Sequence, residues 1–98
     1  MNESLPQHPK QSPVVVYSKD YCPYCVAAKN LLTQRGVGFV EIDVTRDSDQ
    51  FQDMLIRAAP RRTVPQIFIG NVGVGGFDDI KKLDSEAKLE SLLFPNGR

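Results

Sequence analysis

Ninety-eight residues, 41% of them apolar, make one small domain with a modest core. Lysine plus arginine and aspartate plus glutamate stand at twelve each, so no net charge argues for a nucleic acid or an anionic membrane as partner. No apolar run approaches the length of a membrane span. The opening Met1-Asn2-Glu3-Ser4-Leu5-Pro6 lacks the basic segment and apolar block of a signal peptide, and the arginines of a transit peptide.

Residues 1–12 are polar and hold Pro6 and Pro9, and are expected to form a mobile arm ahead of a domain over 13–98. Val14 to Ser18 is a continuous apolar run, the mark of a strand buried on both faces. Pro23 suits the first position of a helix, where a missing N–H costs nothing. Ala27, Ala28, Leu31 and Leu32 form one face of that helix. Lys29 and Arg35 suit its negative end, and Gly36 terminates it. Val37 to Val44 alternates, with Val40, Ile42 and Val44 set against Glu41 and Asp43, and predicts a second strand. Strand, helix and strand at this spacing predict a parallel βαβ unit.

Ser48 is the expected cap of a second helix, lined by Phe51, Met54, Leu55 and Ala58 and ended by Pro60. Gln66 to Gly70 and Val72 to Gly75 read as a hairpin around Gly70-Asn71. Asp78 is the expected cap of a last helical stretch with Ile80 and Leu83. Leu89, Leu92 and Leu93 fall off its register, so a break with a fresh cap is placed at Ser85. The whole string predicts an α/β fold, a four-stranded mixed sheet with helices on both faces.

The only two cysteines, in Cys22-Pro23-Tyr24-Cys25, sit where the first strand feeds the first helix. That layout belongs to a thiol–disulfide redox site. As a structural staple the pair closes almost the smallest loop, worth roughly 2 kcal/mol by loop entropy before strain. A closed zinc site needs four ligands; the chain adds only one histidine, His8, in the arm. Cys22 lies at the helix start, where unpaired N–H groups and the dipole favour an anion, and Lys19 adds positive charge nearby. Cys22 is therefore assigned as nucleophile and Cys25, one turn inside the helix, as resolving thiol. Such a pair cycles in a reducing compartment, which makes the cytoplasm the expected location.

Three motifs in register resemble a glutaredoxin, of the thioredoxin-like superfamily. They are Lys19-Asp20-Tyr21-Cys22-Pro23-Tyr24-Cys25, Thr63-Val64-Pro65-Gln66-Ile67-Phe68-Ile69-Gly70 and Gly75-Gly76-Phe77-Asp78-Asp79. The likeness spans about Val14 to Leu93. Pro-Tyr between the cysteines and the absence of tryptophan favour this branch over thioredoxins. The resemblance implies a sheet order of 2-1-3-4 and glutathione as cosubstrate. It also implies reduction of protein–glutathione mixed disulfides and of protein disulfides. It implies that the Val64–Pro65 bond is cis, where an arbitrary X-Pro bond is trans, and that Val64, with Thr63 and Pro65 beside it, pairs with glutathione by its backbone. Gly76, Phe77 and Asp78 then hold the γ-glutamyl end, Lys19 with Arg61 or Arg62 the glycine carboxylate, and Tyr24 stacks beside the tripeptide. Phe77 stands where many relatives have cysteine or serine.

No metal and a monomer are expected. A [2Fe–2S] dimer holding its cluster on Cys22 and glutathione is the alternative, opposed by the stiff Pro23. A thioredoxin-like reductase served by a flavoprotein is a second alternative.

Overall fold

The computed structural model describes residues 3–4 and 7–98. Among the described residues nine elements follow one another: β1 (Glu3–Ser4), β2 (Val14–Ser18), α1 (Pro23–Gln34), β3 (Val40–Asp43), α2 (Ser48–Ala58), β4 (Gln66–Ile69), β5 (Val72–Gly75), α3 (Phe77–Ser85) and α4 (Leu89–Leu93). The sheet order is β1-β3-β2-β4-β5. The four strands predicted from the sequence therefore lie in the expected 2-1-3-4 order. β2 and β3 are parallel, and β2–β4 and β4–β5 are antiparallel.

β2 is apolar at successive positions because both of its faces are covered. Val14 and Val16 join Ala28, Leu32, Ile67, Ile69 and Ile80 in the cluster beneath α1 and α3. Val15 and Tyr17 point the other way, into a smaller cluster with Met54 and Phe68 beneath α2. Two-sided cover also explains a departure on β3. Alternation sets Glu41 against the apolar side, yet it pairs in register with Val16 and is buried. It is tolerated there because Lys29 and Ser18 satisfy it, as described below.

The helix boundaries differ in detail. Asp47, not Ser48, caps α2, accepting from the Gln50 N–H at 3.0 Å. Gly76, not Asp78, is the N-cap of α3. The break after α3 comes at Ala87, which takes φ +60°, and Lys88 precedes α4. Ser85 closes α3 instead of opening the next helix, its hydroxyl donating to the Lys82 carbonyl at 2.9 Å. Pro23 at the start of α1 and Gly36, with φ +72° past its end, stand as expected. Lys29 and Arg35 do not serve that helix end; both are drawn into ion pairs, with Glu41 and Asp84.

The 1–12 segment, expected to be a mobile arm, lies partly outside the described residues (1, 2, 5 and 6). Its described part is tied down. Glu3–Ser4 adds a short antiparallel edge strand to β3. The Gln11 side-chain amide donates to the Gly38 carbonyl at 2.8 Å and accepts from the Gly38 N–H at 3.2 Å. The Ser12 N–H donates to the Leu93 carbonyl at 2.7 Å. The His8 ring packs edge-on against Phe94 at 5.2 Å. These polar side chains, which compositionally resemble a tail, are used to satisfy backbone groups. Among the described residues no helix is long and apolar enough to cross a membrane.

Candidate functional site

β2 ends at Ser18, and the chain turns through Tyr21, which adopts φ +55° and is wholly exposed. Cys22 follows as the N-cap of α1, and its Sγ accepts from the Cys25 N–H at 3.2 Å. The side chain thus does the work of a capping serine, with sulfur as the acceptor. Pro23 at the next position has no N–H to leave unpaired. Cys22 and Cys25 are joined as a disulfide with Cα atoms 5.2 Å apart. Cys22 reaches the surface at 8% exposure and Cys25 is sealed at 1%, the asymmetry expected of an attacking and a resolving sulfur.

The Val64 carbonyl oxygen lies 4.0 Å from Cys22 Sγ. The Val64–Pro65 bond is cis, as the resemblance implied. Val64 lies beyond the β2–β4 ladder, whose last pair is Tyr17 with Gln66, so its polar backbone is not engaged there. Across from it stands the N-terminus of α3. Glycine at Gly76 permits the close approach, since a Cβ there would sit 3.3 Å from the Pro65 carbonyl oxygen.

Eight predicted residues line one groove of about 350 Å³: Tyr24, Arg61, Thr63, Val64, Pro65, Gly76, Phe77 and Asp78. The Tyr24 and Phe77 rings stand 6.4 Å apart at its mouth. Lys19 and Arg62 do not line it. They line a neighbouring cleft of about 710 Å³ that Thr63 and Val64 also border. The two cysteines border a third cleft, shared with Lys19, Tyr21, Lys29 and Glu41. Three depressions therefore meet around the cysteine turn.

Two clusters were not anticipated. The first lies beneath α1, where Glu41 accepts from the Ser18 hydroxyl at 2.6 Å and from Lys29 Nζ at 2.8 Å. Lys29 stands four residues after Cys25 and so shares its helix stripe; that spacing was the available signal. The second is Asp79. It accepts from Arg61 Nη1 at 2.6 Å and from the Gly76 N–H at 2.9 Å. The Arg61 guanidinium first, and the Gly76 amide second, hold the Asp79 carboxyl below its usual range. Arg61, one of the two arginines the resemblance offers for a ligand carboxylate, lines the groove and is also paired with the protein's own Asp79.

The glutaredoxin family model matches residues 14–74. Glutaredoxin-C6 of Oryza sativa subsp. japonica is 44% identical over 88 residues, covering 88% of this chain and 79% of the relative. Among solved structures, a Brucella melitensis glutaredoxin is 42% identical with a TM-score of 0.77, over 93% of this chain and 99% of that one. A buckwheat glutaredoxin in complex with glutathione is 37% identical with a TM-score of 0.74, over 84% and 76% of the two chains.

Proposed function

Because the chain belongs to the glutaredoxin family, and so is a thiol–disulfide oxidoreductase, we propose that glutathione is the thiol it works with. Its substrates are then protein–glutathione mixed disulfides and protein disulfides, and its setting is the reducing cytoplasm. The observation that carries this reading is the groove beside Cys22. One wall is the Val64-Pro65 backbone and the other the N-terminus of α3. An extended tripeptide docks on the first by strand-like hydrogen bonds. Its γ-glutamyl carboxylate suits the α3 amides and its ammonium suits Asp78. The relative whose structure holds glutathione supports the same ligand here. Lys19 and Arg62, in the adjoining cleft, are left to face the glycine carboxylate.

The chemistry follows from the cap. The Cys22 thiolate attacks the glutathione sulfur of a mixed disulfide, and the protein thiol leaves. A second glutathione then attacks that sulfur, and Cys22 leaves as thiolate. An ordinary thiol is roughly 3% ionised at neutral pH, so ionisation alone offers about 30-fold in attack, and falling nucleophilicity erodes it. The larger gain of a stabilised thiolate is in its departure. For a protein disulfide, Cys25 attacks the Cys22 mixed disulfide and closes the bridge seen in the structure.

A coupled assay of glutathione removal from a small mixed disulfide tests the proposal. Turnover saturable in glutathione is expected. Turnover with a thioredoxin reductase, and none with glutathione, would overturn it.

A further inference from the structure

We infer that Arg61 is a positioning residue, a clamp with Asp79 that fixes the width of the groove, and not a ligand-binding cation. The inference rests on glutathione as the occupant of that groove. Arg61 leaves the end of α2, where its N–H donates to the Ala58 carbonyl at 3.0 Å. Three residues later comes Val64, on one wall. Asp79, in the first turn of α3, follows directly on Asp78, on the other wall. The guanidinium spans the two, with Nη1 at 2.6 Å and Nη2 at 3.4 Å from the Asp79 oxygens. Each terminal nitrogen thereby turns one N–H towards the protein's own carboxylate, the Nη1 contact being the short one.

The far end of the clamp is itself anchored. The oxygen of Asp79 that accepts from Arg61 also accepts from the Gly76 N–H, so the pair is welded to the N-cap of α3. Gly75 leaves the space for it. Its backbone takes φ +101°, and a Cβ there would run into both the Asp79 carboxylate and the Arg61 guanidinium. Exposed ion pairs ordinarily contribute little, and this one is partly exposed, at 51% and 39%. Two-pronged geometry and the backbone anchor set it apart from the typical surface pair.

A tripeptide in the groove must meet the Val64 backbone and the α3 amides at once. If the walls drift apart, one set of contacts is lost, and binding weakens while the sulfur chemistry does not. Arg61 therefore acts on all ligands that use both walls, whether or not they carry the glycine carboxylate.

The test is a double-mutant cycle with Arg61→Ala, Asp79→Ala and both together. KM and kcat are measured for mixed disulfides of glutathione and of γ-glutamylcysteine, each releasing the same chromophoric thiol. Arg61→Ala is expected to raise KM roughly 3- to 10-fold, equally for the two substrates, with kcat nearly unchanged. The double variant should be no worse than the worse single one. Arg61→Lys, which keeps the charge but loses the fork, should fall between. A penalty absent with γ-glutamylcysteine, or undiminished when Asp79 is already alanine, would make Arg61 a ligand for the glycine carboxylate and overturn the clamp. An unchanged KM in Arg61→Ala would overturn it too. If the unaltered protein itself fails to use glutathione, the functional proposal falls first, and visibly so.

Discussion

Cys22 and Cys25 differ by one helical turn, and on the proposed reading that turn divides their duties. Cys22→Ser removes the sulfur that reaches the surface and is expected to abolish turnover of both mixed disulfides and protein disulfides, by at least ~10³-fold. Cys25→Ser removes only the sealed sulfur. It should spare glutathione mixed disulfides and impair reduction of protein disulfides; parallel assays on the two substrates check this. An active Cys22→Ser protein would reverse the assignment. At this scale the sequence was informative wherever a residue's job is dictated by its own covalent chemistry. Proline at the first position of the helix, glycine past its end and the cysteine pair all stand as read. It was uninformative where a side chain's job depends on a partner distant in the chain. Arg61 and Asp79, or Lys29 and Glu41, become pairs only after folding.

Among the elements, α1 carries the reactive turn and must be held firmly. Leu32 is completely buried on its inner face, in one cluster with Val16 and Ile67. Leu32→Ala is expected to destabilise the fold by about 2–5 kcal/mol, read from denaturant midpoints, with the slope of the transition unchanged. Strand β2 was legible because both of its faces are covered, giving an unbroken apolar run, and β4 because the Gly70-Asn71 turn marks its hairpin with β5. On β3 the alternation named the strand without telling that Glu41, opposite its apolar positions, would be buried too. The caps of α2, α3 and α4 slipped by one to three residues. Asp47 and Ser48 are both competent caps, and the sequence offers no way to choose between neighbours. Glu3–Ser4 had no signal at all, since two residues have no period.

Across the whole molecule, ion pairs with arginine bind separate elements together. Arg35 on the end of α1 reaches Asp84 on α3, Arg61 reaches Asp79, and Arg98 reaches both Glu90 and the Arg35 carbonyl. Each arginine lowers its carboxylate's pKa, chiefly by hydrogen bonding. A carboxyl depressed in the folded state stabilises fully above its unfolded value, near 4, and loses that contribution as pH falls through the folded value. Thermal stability should therefore be flat from about pH 5 to 8 and decline below about pH 4, less steeply in high salt. A decline beginning near neutrality would implicate other groups. The two ends of the folded unit also meet. Ser12, just ahead of β2, is hydrogen-bonded to Leu92 and Leu93 at the end of α4, while β2 carries the chain away from that junction towards Cys22. From β2 to α4 the order of elements is thus close to a ring, which, with β1 cut away, could be joined at this seam and reopened at the Gly70-Asn71 turn while keeping the order β3-β2-β4-β5.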